Sequence, residues 1–135
     1  METVGQMLNQ KGFEVIAISP EGSVYEAIKT MAEREVGALV VLENNKLVGI
    51  ISERDYARKI ILLGRRSRET LVREIMVTNP ITVRPDDPVR TCMEHMTQHR
   101  IRHLPVLEGD KLVGLVSIGD VVKTIMTQQA FMIEQ

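Results

Sequence analysis

Two short motifs in this sequence combine a serine and an aspartate at the same spacing, Ser52-x-x-Asp55 and Ser117-x-x-Asp120. Each follows an apolar run typical of a strand and stands where a helix should begin. Free backbone N–H groups and the positive end of the helix dipole would therefore face the space beyond the strand. A carboxylate in the first helical turn can accept hydrogen bonds from both hydroxyls of a ribose, and the serine can bind a phosphate or the sugar. The spacing predicts a site for an anion and a ribose at both motifs.

The same spacing also fits a helix-capping role, in which the serine and the carboxylate satisfy the first helical N–H groups. Capping and nucleotide binding are partly compatible, but one carboxylate oxygen cannot serve both fully. Two identically spaced copies, each after a glycine-containing strand, favour nucleotide binding. Arg54, inside the first motif, is either a guanidinium that binds phosphate or a solvated surface residue.

The two motifs belong to an internal repeat. A shift of 65 residues aligns residues 16–60 with 81–125 without a gap, and 15 of the 45 aligned positions are identical. Further upstream, residues 4–8 resemble residues 72–76 at an offset of 68. Two copies indicate a pseudo-twofold pair of units rather than an open solenoid.

The two units, 1–70 and 71–135, each fit the order strand, helix, strand, strand, helix, which predicts an α+β fold. The predicted strands are 15–18, 39–42 and 47–51 in the first unit and 80–83, 104–107 and 112–116 in the second. Tight turns at 44–45 and 109–110 join the later strands, and the last helices begin near Glu53 and Ile118. The middle helices carry apolar core stripes, Val24, Ala27, Ile28 and Met31 in one and Val89, Cys92, Met93 and Met96 in the other.

With these motifs the chain resembles the CBS-domain family, named after cystathionine β-synthase, over nearly all of its length. The resemblance rests on a twice-repeated hairpin with Lys-Leu-Val-Gly, whose glycine also begins Gly-Ile-Ile-Ser-Glu-Arg-Asp in one unit and Gly-Leu-Val-Ser-Ile-Gly-Asp in the other. It implies two tandem β-α-β-β-α repeats packed as a pseudo-twofold pair, with ligand clefts between them and frequent dimerisation. It also implies an adenosine-containing ligand such as AMP, ATP, NAD or S-adenosylmethionine, bound in service of a partner protein.

Family position assigns further residues to the clefts. Aromatic residues make up only 3% of the chain, so aliphatic side chains and backbone groups must hold the base, and core packing is the alternative role of these side chains. Repeat 2 fits the family better because it has Arg102, His103 and Pro105 at a strand entrance, whereas repeat 1 lacks the proline. The predicted ligand-binding residues are Ala17, Gly37, Ala38, Leu39, Ser52, Arg54 and Asp55 in repeat 1 and Ile81, Thr82, Arg102, His103, Leu104, Pro105, Ser117 and Asp120 in repeat 2.

A basic cluster lies between the repeats. It is either a solvated surface, a rim that gathers ligand phosphates or a nucleic-acid surface. The last interpretation is the weakest because the net charge is -1 and no groove-reading motif is present. The cluster consists of Arg54, Arg58, Lys59, Arg65, Arg66, Arg68 and Arg73.

Neither a metal site nor a catalytic centre is predicted. Cys92, His95, His99 and His103 recur at helical intervals, as metal ligands can. The repeat alignment nevertheless puts the cysteine on the buried stripe and the first two histidines on the polar face, so the four do not converge. Ser52 has no histidine in its repeat to act as a base, and no acid–base pair stands apart from the two motifs.

The composition is typical of a folded cytoplasmic protein, with 135 residues, 44% hydrophobic and 26% charged. No apolar run approaches the length of a membrane span, and the single cysteine suits a reducing compartment. We therefore predict a regulatory module that binds an adenine nucleotide, forms a homodimer and acts on an unidentified effector protein, without membrane or nucleic-acid partners. The alternatives are a dimerising adaptor with vestigial sites and a small phosphotransferase or hydrolase.

Overall fold

A computed structural model describes residues 2–134 of the chain. Two compact units are present: Val15–Pro80 form what we call the continuous unit, and Met1–Glu14 with Ile81–Gln135 form the split unit. The α-helices are α1 (Val4–Lys11), α2 (Val24–Arg34), α3 (Glu53–Tyr56), α4 (Val72–Ile75), α5 (Val89–His99) and α6 (Ile118–Glu134). The strands are β1 (Ala17–Ile18), β2 (Ala38–Glu43), β3 (Lys46–Ser52), β4 (Val77–Thr78), β5 (His103–Glu108) and β6 (Lys111–Ser117).

The continuous unit is built on a four-stranded sheet in the order β1-β2-β3-β4. The pair β1 and β2 is parallel, and the other two pairs are antiparallel. Helix α3 continues directly into a π-helical turn, Ala57–Ile61, and a short 3-10 helix follows at Ser67–Glu69. The split unit contains the β5-β6 hairpin with α1, α5 and α6. Helix and strand are mixed in both units, which confirms the predicted α+β class.

Helices α2 and α5 begin and pack as the apolar stripes predict. Val24, Ala27 and Met31 are buried on α2, and Val89, Cys92 and Met96 are buried on α5. Both helices end at a residue in the left-handed region, Glu35 with φ 55° and Arg100 with φ 54°. The stripes therefore form the core of their respective units.

The two hairpins confirm the predicted turns. Asn44 and Asn45 both have positive φ, 53° and 63°, as the two central residues of a type I′ turn require, and Gly109 has φ 62° in the second hairpin. Each hairpin also contains a β-bulge close to its turn, where the pairing register shifts by one residue. The shift lies between Val41 and Leu42 in the first hairpin and between Val106 and Leu107 in the second. The repeated sequence thus produces the same hairpin and the same bulge twice.

The predicted strand at 80–83 is wrong in extent, because only Val83 is paired, in a parallel bridge with Val106. In the continuous unit the N–H of Val40 donates to the carbonyl oxygen of Ile16 at 3.2 Å. Pro105 takes the place of Val40 in repeat 2 and has no N–H, so it cannot donate to the equivalent carbonyl of Ile81. The loss of this donor reduces the strand to a single bridge.

Helices α1 and α4 were not predicted, although the similarity of residues 4–8 to 72–76 marks them as equivalents. Thr3 and Gln6 form a capping box at the start of α1, so the Thr-x-x-Gln spacing was an available signal. Helix α1 lies at the start of repeat 1 in sequence but packs in the split unit with most of repeat 2, whereas α4 lies at the start of repeat 2 but packs in the continuous unit with most of repeat 1. The boundary between residues 70 and 71 concerns the sequence repeats and stays a prediction.

The glycine that each repeat carries in its returning strand allows these helices to approach closely. A Cβ on Gly114 would lie 2.8 and 2.9 Å from the two methyl carbons of Leu8 on α1. A Cβ on Gly49 would lie 2.7 Å from the sulfur of Met76 and 2.8 Å from the carbonyl oxygen of Val77. Both positions therefore require a residue without a side chain.

Gly49→Ala should lower the free energy of unfolding by roughly 1–3 kcal/mol, the usual cost of overpacking. The added methyl group would collide with the backbone of Val77, which cannot rotate away as a side chain can. Urea unfolding monitored by circular dichroism measures the change. A variant as stable as the original chain would contradict the close contact.

Two other glycine-to-alanine variants are controls for the effect of steric overlap on the free energy of unfolding. Gly114→Ala should cost less, because the crowded atoms are the end of the Leu8 side chain rather than backbone. Gly119→Ala should not destabilise the protein, because the nearest atom to its added Cβ is the Ser117 hydroxyl at 3.7 Å.

Candidate ligand site

The first Ser-x-x-Asp motif forms a complete capping box where β3 passes into α3. The backbone N–H and the hydroxyl of Ser52 both donate to Oδ2 of Asp55, at 2.9 and 3.0 Å, and the N–H of Asp55 donates to the serine oxygen at 3.3 Å. The other oxygen, Oδ1, lies 3.3 Å from Nζ of Lys59. Asp55 is 8% exposed, so this carboxylate is buried with both oxygens engaged.

The second motif repeats the capping geometry where β6 passes into α6. The N–H of Ser117 donates to Oδ2 of Asp120 at 2.9 Å, and the N–H of Asp120 donates to the Ser117 hydroxyl at 3.2 Å. Here the cation comes from far away in sequence, because Nζ of Lys11 lies 2.9 Å from the same Oδ2. The contacts with the Ser117 N–H and the Lys11 ammonium both use Oδ2, and the side chain is 24% exposed.

The electrostatic surroundings keep Asp120 ionised. Burial alone raises the pKa of this carboxyl, but the Ser117 N–H and the Lys11 ammonium together outweigh burial and bring the pKa below its ordinary value. Burial lowers the pKa of His103, and the charges of Arg102 and Lys11 add to this effect, while Asp120 opposes it. Since the ordinary value is 6.5, His103 is a neutral imidazole at pH 7.

Register places the predicted residues of repeat 2 at one end of the β5-β6 hairpin. His103 is paired with Ser117 across the hairpin, and the carbonyl oxygen of Arg102 accepts from the N–H of Ile118 at 2.8 Å. Leu104 and Pro105 follow on β5 and are buried, whereas Arg102 is exposed. Ile81 and Thr82 are half-buried and lead into the bridge of Val83 with Val106, beside the same strand.

Repeat 1 places its predicted residues equivalently within the continuous unit. Ala38 is paired with Ser52, and the carbonyl oxygen of Gly37 accepts from the N–H of Glu53 at 3.0 Å. Ala17 is exposed on β1 and pairs with Val40, while Arg54 is half-buried. The side chain of Leu39, like that of Leu104 in repeat 2, is fully buried in the core of its unit. A ligand would therefore meet the backbone of these two leucines.

Much of the basic cluster is neutralised within the continuous unit. Arg65 pairs with Glu74, Arg66 with Glu69 and Arg73 with Glu21, in addition to the pair of Lys59 with Asp55. The guanidinium of Arg68 stacks over the ring of Tyr25 at 3.9 Å. These contacts favour an ion-paired surface over a nucleic-acid surface.

The cysteine and the histidines of α5 do not form a metal site. Within residues 2–134, no three His, Cys, Asp or Glu side chains are grouped closely enough to hold a metal ion. Cys92 is buried in the core, and burial, with a contribution from the charge of Asp87, raises the pKa of its thiol to about 11. The rings of His95 and His99 stack on each other with centroids 6.0 Å apart.

Sequence reasoning did not find Lys11 or Lys59 as neighbours of the two aspartates. An i,i+4 search would have found Lys59, which also donates to the carbonyl oxygen of Ile75 at 2.8 Å. No local signal identifies Lys11, because 109 positions separate it from Asp120 and only folding brings α1 to β6.

Comparison with known proteins identifies the family. The model of the CBS domain matches the chain twice, over residues 6–62 and 72–127. A mitochondrial CBS domain-containing protein of Arabidopsis thaliana, CBSX3, is 42% identical over an alignment of 133 positions, which covers 92% of this chain and 65% of that protein. This chain is a member of the CBS-domain family and carries two CBS domains.

Two solved structures are similar over almost the whole chain. A protein with CBS domains from Burkholderia ambifaria, to which a signal-transduction role has been attributed, is 46% identical with a TM-score of 0.90, covering 94% of this chain and 96% of that one. The CBS domain pair of MJ0100, in complex with 5′-methylthioadenosine and S-adenosyl-L-methionine, is 26% identical with a TM-score of 0.84, covering 95% and 98%. Among the described residues, no helix is sufficiently long and apolar to cross a membrane.

The lowered pKa of Asp120 predicts a pH-dependent contribution to stability. A carboxyl whose pKa is lower in the folded state stabilises the protein above its unfolded pKa, near the ordinary value of 3.8, and loses this contribution as the pH falls. The difference in unfolding free energy between the original chain and Asp120→Asn should therefore be constant from pH 7 to about pH 5 and shrink below pH 4. Urea titrations at four pH values measure it, and a difference that does not shrink would contradict the assignment.

Proposed function

We propose that this CBS pair is a regulatory module that binds an adenine nucleotide of the AMP, ATP or NAD type in a cleft between its repeats. The duplicated carboxylate at the start of α3 and α6 is the observation that carries the proposal, because an aspartate in this place can accept both hydroxyls of a ribose. The complex of the related MJ0100 pair with two adenosine compounds supports the same ligand class.

Repeat 2 offers the better site. Asp120 is more exposed than Asp55 and makes its contacts through Oδ2, whereas both oxygens of Asp55 are engaged. A carboxylate has about four lone-pair positions, so Asp120 can accept one ribose hydroxyl at Oδ1, while the second hydroxyl would have to share Oδ2 with Lys11. Arg102 and the neutral His103 stand at the same end of the hairpin, where they can donate to a phosphate.

The base would be recognised by backbone groups. Because Pro105 cannot donate to the carbonyl of Ile81, that oxygen lacks the strand hydrogen bond that Ile16 accepts in repeat 1. The carbonyl can then accept from the amino group of adenine, and Thr82 supplies a neighbouring polar group. In repeat 1 the equivalent carbonyl is already bonded to Val40, which gives a second reason for unequal sites.

Asp120→Ala should weaken nucleotide binding at least about tenfold, since a hydrogen bond to a charged group is worth ~1.5–3 kcal/mol and each ~1.4 kcal/mol is one factor of ten. A thermal-shift screen with AMP, ADP, ATP, NAD, NADH and S-adenosylmethionine first identifies the ligand, because a ligand that binds only the folded state raises Tm. Calorimetry then measures the affinity of the variant.

Asp55→Ala is the matched control, and it should cause a smaller loss or one confined to a second site. Circular dichroism establishes that both variants fold. Unchanged affinity in a folded Asp120→Ala would mean that the second motif is only a helix cap.

The second candidate, a dimerising adaptor with vestigial sites, is favoured by one observation. Helix α6 exposes large apolar side chains along its length: Val122, Met126, Phe131, Met132 and Ile133. Val121 is fully buried in the core of its own unit and does not contribute to this surface. Exposed apolar side chains on one helix favour association, and the proposed occupant is a second copy of the chain, with an unidentified effector protein as a further partner.

Light scattering at micromolar protein should give the mass of a dimer, about twice the 15.2 kDa of the chain. Met126→Glu places a charge in the exposed apolar surface of α6 and should shift the mass toward the monomer. Lys123→Glu, a charge change on the same helix, is the control. A monomeric mass for the original chain would exclude the homodimer.

Regulation rather than catalysis also fits the surroundings of the two motifs. Within the described residues, each motif serine hydrogen-bonds to its own aspartate. His103 is paired with Ser117 across the hairpin, but no hydrogen bond within residues 2–134 joins this histidine to the serine hydroxyl, as a general base would require. The cytoplasm remains the proposed location. Turnover of ATP or NAD that survives repurification and is abolished by Asp120→Ala would instead favour the phosphotransferase or hydrolase.

A further inference from the structure

Lys11 links the N-terminal helix to the second motif. Its ammonium lies 2.9 Å from Oδ2 of Asp120 and donates to the carbonyl oxygen of Leu115 on β6 at 2.7 Å. One side chain thus connects the last turn of α1 with both the strand and the helix that form the motif. The Lys11 and Asp120 side chains are 31% and 24% exposed, so the pair is only partly screened by water.

The continuous unit reaches the same arrangement from a different position in the sequence. Lys59 contacts Asp55 and donates to the carbonyl oxygen of Ile75 on α4. The residue of repeat 2 that aligns with Lys59 is Thr124, which is buried and carries no charge. The capping box itself needs no cation, since the serine and aspartate already satisfy the N–H groups. An ammonium on each aspartate is therefore an additional feature that two unrelated positions supply.

We propose that Lys11 determines the affinity of the repeat 2 site by competing with the ligand for Asp120, an inference that rests on the proposed function. The oxygen that holds the ammonium belongs to the carboxylate that a ribose diol must approach. Binding of the diol weakens or breaks the ion pair of Lys11 with Asp120. The same event loosens the connection of α1 to β6, so occupancy of the site is transmitted to the N-terminal helix.

Thermodynamic linkage turns this competition into a measurable quantity. If the ligand weakens the ion pair, loss of the ion pair must favour the ligand by the same coupling free energy. A partly exposed ion pair corresponds to a change of about two- to fivefold in a binding constant. Lys11→Met retains the aliphatic stem of the side chain and removes the charge, so it isolates the competition from the packing of α1.

Adenosine is the probe for the direct test because it has the ribose diol and no phosphate that could attract Lys11. Calorimetry should show that Lys11→Met binds adenosine about two- to fivefold more tightly than the original chain. Lys123→Met removes one positive charge from an exposed position of the same unit and should bind adenosine as the original chain does. Equal or weaker binding by Lys11→Met would overturn the inference.

Amide hydrogen exchange in α1 gives the second readout. Exchange should be faster in ligand-free Lys11→Met than in the ligand-free original chain, and adenosine should accelerate it in the original chain but not in the variant. Unchanged exchange of the α1 amides in the ligand-free variant would show that the ion pair does not stabilise the docking of α1 and would overturn the inference.

The two failures are distinguishable. If the original chain binds none of adenosine, AMP, ATP, NAD and S-adenosylmethionine, the proposed function is wrong and the inference fails with it. If the original chain binds one of them while Lys11→Met binds adenosine no more tightly, the proposed function stands and only the competition is excluded.

Discussion

The structure depends on how each strand-to-helix turn satisfies its backbone N–H groups. After a hairpin the chain leaves its strand partner, and the first N–H groups of the next helix have no acceptor within the helix. The carboxylates of Asp55 and Asp120 accept from the N–H of the serine three residues earlier. The hydroxyl oxygen of that serine accepts in turn from the N–H of the aspartate. This reciprocal cap fixes where the helix begins and how the carboxylate points. The fold therefore holds each carboxylate in a defined position whether or not a ligand is bound.

The glycine of each returning strand shows how the repeats build their cores. It leaves room for a short helix that belongs, in sequence, to the start of the other repeat: α1 in the split unit and α4 in the continuous unit. Val4, Met7 and Leu8 of α1 are buried in the first of these cores. A β-α-β-β-α repeat of this size buries little apolar surface by itself. The helix from the start of the other repeat adds apolar side chains to its core.

The two repeats have diverged at positions that decide hydrogen bonding rather than shape. Pro105 in place of Val40 removes one donor and shortens a strand to a bridge. Thr124 in place of Lys59 removes a cation, which Lys11 then provides from α1. One carboxylate is consequently enclosed with both oxygens occupied, while the other is more open and held by a lysine from a distant helix. The same backbone thus gives the two carboxylates chemically different surroundings.

The repeat, the α+β class, the hairpin turns, the apolar stripes and the Ser-x-x-Asp motifs could all be predicted from the sequence, because they depend on local spacing and on comparison of one half of the chain with the other. The predicted strand at 80–83 is longer than the observed pairing, because Pro105 lacks the N–H that would bond the carbonyl of Ile81 on the neighbouring segment. The unit in which α1 packs, and hence the contact of Lys11 with Asp120, could not be predicted, because both depend on long-range packing. Burial of Val4 and Leu8 in the core of the split unit, with Leu8 against Gly114 of β6, brings that lysine into place. Packing between residues 109 positions apart leaves no periodic or local trace in the chain.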